Sequence, residues 1–214
     1  MTIERVLLVR HGQTDWNVQG RWQGYEPVPL NEKGRTQARA LAGAMQGRPV
    51  GTIVSSDLSR AFETASAIGD VLGVQPRPDE RWREFNMGIF QGNTRDEIMR
   101  KFPDEWRAFH SDYWDFHIPS GESRRMMQER IYAGWQALLD SAVGPEVVVV
   151  SHGGSLKMLL LRLFPDLPEF EALHLGNTSV TTLERAVHGW HLAQVASVEH
   201  LAVASSDGAG EASL

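Results

Sequence analysis

The chain has 214 residues, 42% hydrophobic and 22% charged, enough to bury one sizeable core and too ordinary for a wholly disordered, collagenous or membrane-embedded protein. Its 21 Lys and Arg stand against 27 Asp and Glu, a net charge of −6, so no broad nucleic-acid surface is expected and an anionic ligand must be met by a local basic pocket. Cysteine is absent, which excludes disulfides, thiolate nucleophiles and sulfur-ligated metals.

Residues 2–5 lead into an apolar run without the charged, apolar and small-residue layout of an export signal, so a cytoplasmic protein is expected. That run, Val6-Leu7-Leu8-Val9, ends at Arg10-His11-Gly12, as a buried strand does when it delivers polar residues at its C-terminal end. Asn31 starts a helix that carries Ala38, Leu41, Ala42 and Met45 at helical spacing, and Gly47 and Pro49 end it. Thr52-Ile53-Val54 predicts a second strand. Helical spacing over 59–72 groups Ala61, Phe62, Ala65 and Ile68 on one side and puts Arg60 in the first turn.

From 76 to 121 aromatics, prolines and charges increase, with short helices expected over 94–101 and 104–110. We read about 85–120 as a lid-like excursion. Helical periodicity returns over 122–142, and Val147-Val148-Val149-Val150 has the β-branched character of a central parallel strand. Ser151-His152-Gly153-Gly154 follows. The next helix, 156–163, contains Lys157 and Arg162 and is too short to cross a bilayer, so no membrane partner is expected. Two alternating stretches, 179–183 and 189–195, predict edge strands that could pair as a hairpin. Residues 204–214 read as a disordered tail. With no internal repeat and no linker, 1–203 is expected to form one three-layer α/β/α sandwich around a mostly parallel sheet.

A strand running into His-Gly occurs twice, at 6–12 and 147–153. Ligands of open parallel sheets bind at the carboxyl ends of strands, so the two histidines converge if their strands are neighbours. Arg10 and Arg60, with free helix N–H groups, would then form an oxyanion cradle, most simply for phosphate. Taken singly, each histidine also reads as a hydrogen-bonded loop residue and Arg60 as a surface ion pair. His110 and His117 are too widely spaced for one helical metal face and read as solvated lid residues, so no metal is expected. Gly208 and Gly210 follow no strand and form no dinucleotide loop. Trp106, Phe109, Tyr113, Trp114 and Phe116 fit either a packed core or a substrate-facing lid.

Leu8-Val9-Arg10-His11-Gly12-Gln13-Thr14-Asp15-Trp16-Asn17 resembles the signature of the histidine phosphatase superfamily, also called phosphoglycerate mutase-like. The resemblance continues in order through Gly20-Arg21-Trp22-Gln23-Gly24, Ser55-Ser56-Asp57-Leu58-Ser59-Arg60-Ala61, Arg83-Glu84-Phe85-Asn86-Met87-Gly88, Gly121-Glu122-Ser123, Val150-Ser151-His152-Gly153-Gly154 and Asn177-Thr178-Ser179-Val180. It implies a cofactor-independent phosphatase of a small phosphorylated metabolite, working through a covalent phosphohistidine. His11 would be the nucleophile, Arg10, Arg60 and His152 the phosphate pocket, and Glu84 the proton donor. Asn17, Arg21, Gln23, Gly24 and Gly153 would complete substrate binding.

His11 must then be neutral to attack, whereas His152 is expected protonated, its charge favoured by the bound dianion. Without the resemblance, Glu84 reads as an exposed carboxylate pairing with Arg81 or Arg83. The alternatives are a phosphoglycerate mutase and a non-catalytic phospho-ligand binder. Against a mutase, Arg83-Glu84-Phe85-Asn86-Met87-Gly88 departs from the Glu-Arg-x-Tyr-Gly pattern expected after the acid. Gly20-Arg21-Trp22-Gln23-Gly24 looks like the phosphatase branch, although Glu26-Pro27-Val28 departs from its usual aspartate.

Overall fold

A computed structural model describes residues 2–166 and 173–202. The strands β1 (Arg5–Arg10), β2 (Val50–Ser55), β3 (Arg77–Pro78), β4 (Glu146–Ser151), β5 (Val180–Ala186) and β6 (Gly189–Ser197) form one sheet in the order β3-β2-β4-β1-β5-β6. The first four run parallel; β5 is antiparallel to β1, and β6 to β5. Because side chains alternate along a strand, Leu7 and Val9 of β1 face α2 (Glu32–Ala44) and α3 (Ser59–Leu72), packing with Leu41, Ala42, Ala61, Ala65 and Ile68. Val6 and Leu8 face the opposite layer, α6 (Arg124–Ser141) and α7 (Gly153–Leu163), with Ile131, Trp135, Leu156 and Leu159. This is the expected three-layer α/β/α arrangement.

Register positions the site. Arg10 lies opposite Ser151 in the β1–β4 ladder, so the residues that follow each, His11 and His152, leave the sheet side by side. Between β3 and α6 the chain leaves the sandwich through α4 (Arg95–Lys101) and α5 (Pro103–Ser111), which gather a third apolar cluster around Phe85, Phe90, Ile98, Phe109 and Ile118. Its attachment to the main layers is through Met127 of α6 and Met158 of α7.

Three expectations need correction. The helix α7 begins at Gly153, three residues before the apolar pattern does, because its first-turn N–H groups are satisfied from outside the helix. Only β6 of the final hairpin is an edge: β5 lies between β1 and β6. A short helix, α1 (Asp15–Val18), held by a capping box between Thr14 and Asn17, stands where no element was expected. The tail at 204–214, with Gly208 and Gly210, lies outside the described residues.

Candidate active site

His11 prolongs β1, its N–H donating to Ser151 O (3.0 Å). Its Nδ1 lies 2.6 Å from Gly12 O. A carbonyl can only accept, so Nδ1 carries the proton and Nε2 keeps its lone pair. Burial, then the Arg60 and Arg10 charges, hold the imidazole well below the ordinary value of 6.5. A neutral ring with one nitrogen tied to the backbone and the other free is in the state a nucleophile needs.

Arg60, in the first turn of α3, is 1% exposed and forms no ion pair among the described residues, correcting its reading as a surface pair. Its Nη2 donates to Gly24 O (2.8 Å) and its Nη1 to Glu26 O (3.0 Å). Burial pulls its pKa to about 10, and the nearby Arg10 adds to the shift while Glu84 opposes it, so it stays charged at neutral pH. Arg10 Nη1 donates to Leu175 O (2.5 Å). The Nε atoms of both arginines are buried without a hydrogen-bond partner among the described residues. Such donors are costly to leave unmet, and both arginines line the same cavity as His11.

His152 caps α7 and is fully buried, its ring centroid 5.1 Å from that of His11. Nε2 lies 2.8 Å from Ser56 Oγ, and Nδ1 has no partner among the described residues. Burial, then Arg60, His11 and Arg10, push its pKa well below 6.5. The two histidines are therefore both neutral in the free protein, and the expected charge on His152 depends on an anion arriving.

Glu84 does not pair with its neighbouring arginines. Arg81 binds Asp79, and Arg83 binds Asp57 and Glu80. Glu84 Oε2 instead accepts from Gly154 N (3.0 Å), while Oε1 accepts from Ser155 N (3.0 Å) and Phe85 N (2.8 Å). Gly154 N and Ser155 N are orphan donors at the start of α7, and their acceptor explains its early beginning. A Cβ on Gly154 would meet Glu84 Oε1 at 2.5 Å, so only glycine allows this approach.

Arg10, His11, Arg60 and Glu84 border one cavity of about 370 Å³ together with Asn17, Arg21, Gln23, Gly24 and Gly153. His152 lies behind His11 and is not among its lining residues. Asn17 Oδ1 accepts from Thr14 N, Thr14 Oγ1 and Asn177 Nδ2, so its remaining polar group is the Nδ2 donor. Arg21 is tied to Glu97 and Gly92 O, which makes it a strut between the pocket and α4. Among the described residues no group of three or more His, Asp or Glu is placed to hold a metal ion, and no helix is long and apolar enough to cross a membrane.

Some partners escaped sequence reasoning. Ser56 and Asn177 stood inside quoted motifs but had no stated role. Arg130 had no signal at all: from the middle of α6 it donates to the carbonyls of Arg81, Arg83 and Glu84 and pairs with buried Glu122, which in turn accepts Asn86 N. Of the aromatics over 106–116, Phe109 belongs to the third apolar cluster, Trp106, Trp114 and Phe116 pack against that cluster, and Trp106, Phe109 and Tyr113 line a second cavity.

Residues 6–197 match the histidine phosphatase superfamily (branch 1), and the chain belongs to that family. Phosphoglycerate mutase-like protein 4 of Arabidopsis thaliana is 35% identical over 92% of this chain and 86% of its own. A protein of Cronobacter sakazakii named probable phosphoglycerate mutase GpmB is 33% identical, with 92% and 94% covered. The solved structure of a mycobacterial glucosyl-3-phosphoglycerate phosphatase in complex with VO3 superposes with a TM-score of 0.77 at 36% identity, covering 90% of this chain and 98% of that one.

Proposed function

We propose that the protein hydrolyses small phosphomonoesters through a phosphohistidine on His11. The observation that carries this reading is a set of buried polar atoms without a hydrogen-bond partner among the described residues, Arg10 Nε and His152 Nδ1 at the ends of neighbouring strands and Arg60 Nε in the first turn of α3, beside a neutral His11. The similarity to a phosphatase complexed with VO3 supports it.

In the first step the His11 Nε2 lone pair forms an N–P bond as the ester P–O bond breaks, and the departing oxygen takes a proton from the Glu84 carboxyl. In the second step water attacks phosphorus, Glu84 accepts its proton, and the N–P bond breaks to return neutral His11. Glu84 must exchange one of its backbone hydrogen bonds to present that proton. Phosphate entry favours protonation of His152, which then donates from both ring nitrogens. Phosphomonoester hydrolysis needs accelerations up to ~10²¹-fold, roughly 28 kcal/mol. Three charge-assisted bonds of about 1.5–3 kcal/mol each fall short of that, so covalent catalysis and positioning must contribute the larger share.

Rapid quench during turnover should trap an acid-labile, base-stable phosphoryl group on His11, and His11→Ala should abolish both trap and turnover. Phosphate trapped on a carboxylate or serine would refute the mechanism, and activity lost to chelators and restored by magnesium would refute the metal-free pocket. The names of the mutase relatives favour a second reading, transfer of the phosphoryl group back to a bound product. Incubation with 3-phosphoglycerate and 2,3-bisphosphoglycerate separates the two: inorganic phosphate marks the phosphatase, 2-phosphoglycerate the mutase.

A further inference from the structure

A second cavity, about 630 Å³, adjoins the phosphate pocket and shares Trp22, Phe85, Met87, Gly154 and Lys157 with it. It sits where the leaving group of a phosphate held by Arg10 and Arg60 would extend. Aromatic rings dominate its wall: the centroids of Trp22, Trp106 and Phe109 lie 5.8 to 6.1 Å apart, with Phe85 and Tyr113 beside them. Its basic side chains are Arg95, His110, Arg124 and Lys157, and among the described residues no Asp, Glu, Asn, Gln, Ser or Thr borders it. A neutral polyol would bring hydroxyls that need acceptors as well as donors, and apart from the Tyr113 hydroxyl no side chain here supplies an acceptor oxygen. Flat apolar groups suit the rings, and an anionic group suits the cations.

Arg124 sharpens this. It is the first residue of α6 and only 9% exposed. Its guanidinium lies between two rings, 3.7 Å from the Phe109 centroid and 4.0 Å from that of Tyr113. All its hydrogen bonds leave from Nη1, to Phe109 O and Tyr113 O. Two other arginines of the same helix have carboxylate partners, Arg125 with Asp115 and Arg130 with Glu122. Arg124 has none among the described residues, and it stands at the positive end of the helix dipole with no acidic residue in the first turn. The two rings and two carbonyls offset part of the cost of desolvating this cation, and an anion would supply the missing counter-charge.

We propose that this compartment is the leaving-group site for phosphomonoesters whose alcohol or phenol joins a flat apolar body to a carboxylate, the carboxylate being recognised by Arg124. The proposal rests on the phosphatase reading above.

The test compares two naphthyl phosphates of the same shape, 6-carboxy-2-naphthyl phosphate and its neutral 6-carboxamide, with p-nitrophenyl phosphate reporting hydrolysis itself. For the unaltered protein, kcat/KM should favour the carboxylate by at least about tenfold, the worth of one charge-assisted hydrogen bond. In Arg124→Met that ratio should fall to about one, and in Arg124→Lys it should lie between. A ratio near one in the unaltered protein overturns the proposal, as does a high ratio that Arg124→Met leaves intact. Arg124 also ties α5 to α6, so circular dichroism must show that each variant is folded. If Arg124→Met does not fold, Arg124→Lys and the unaltered protein still decide. Calorimetric binding of 6-hydroxy-2-naphthoate against 6-hydroxy-2-naphthamide reads the same preference without turnover. Tighter naphthoate binding in a protein that fails to hydrolyse p-nitrophenyl phosphate would sustain this site while refuting the phosphatase reading.

Discussion

His11 and His152 share one electrostatic problem and solve it by staying neutral. Each is buried beside Arg10 and Arg60, and each has its pKa held well below 6.5, first by burial. An unfolded chain takes up these protons first as the pH falls. The stability they contribute is therefore complete above about pH 6.5 and is lost as the pH drops toward their folded-state values, at up to about 1.4 kcal/mol per pH unit for each histidine. Urea unfolding at pH 7.5, 6.5 and 5.5 should show this decline, and His152→Gln should make it shallower. His200, buried and shifted the same way by burial, contributes equally to both proteins. Glu84 is tested through the leaving group. A p-nitrophenolate departs without a proton and an alkoxide does not, so Glu84→Gln should slow single-turnover phosphorylation of His11 far more for an alkyl phosphate, by about 10²-fold or more. Equal slowing for both would make Glu84 a positioning residue.

The loop after β1 is held against the start of α2 by two glycines. A Cβ on Gly12 would lie 2.6 Å from Gly34 O, and one on Gly34 would lie 2.0 Å from Gln13 O. Both obstacles are backbone, which cannot swing aside as a side chain can. The contact matters beyond packing, because the Gly12 carbonyl sets the His11 tautomer. We expect Gly34→Ala to cost about 2–4 kcal/mol in denaturant unfolding and to lower kcat/KM for every substrate alike, with no change in leaving-group preference. Retained activity would mean that the loop tolerates displacement. On the other side of the site, Arg130 staples the Glu84 segment to α6 by three backbone carbonyls. The excursion through α4 and α5 follows directly from that staple, so the general-acid candidate and the second cavity are held by one helix.

Across the whole molecule, the candidate site and an ion-pair network occupy opposite ends of the sheet. At the end away from the histidines, buried Glu146 of β4 binds Arg5 of β1 and Arg48 from the loop before β2, and Arg5 reaches on to Glu184 of β5. Burial pushes the Glu146 pKa up, but the bonds from Arg48 and Arg5 outweigh it and leave the carboxyl below its usual 4.5. The contribution is present above pH 4.5 and lost as the pH falls through the depressed value. Glu146→Gln should cost about 1–2 kcal/mol at pH 7, and the difference from the unaltered protein should shrink on acidification. Inhibition by phosphate should not change, since no residue of this network lines the site.

Local patterns were enough for the parts of this protein that depend on local patterns. The apolar runs at 6–9 and 147–150 and the helical spacings over 59–72 and 94–101 yield the strands and helices, because burial of one face is written in the period of the residues themselves. The repetition of strand and His-Gly puts Arg10, His11 and His152 at the carboxyl ends of two strands, and the pairing of β1 with β4 brings those ends together. Tertiary structure decided what rests on distant partners. Gly153-Gly154 is a poor helix start until Glu84, 70 residues before Gly154, accepts the Gly154 and Ser155 N–H groups. Two residues of β3 pair only because β2 lies beside them. The neutrality of His152, the lack of a carboxylate partner for Arg124 among the described residues and the carbonyl staple of Arg130 follow from which groups come within a few ångströms in the folded chain, and that depends on the packing of all three layers rather than on any run of neighbouring residues.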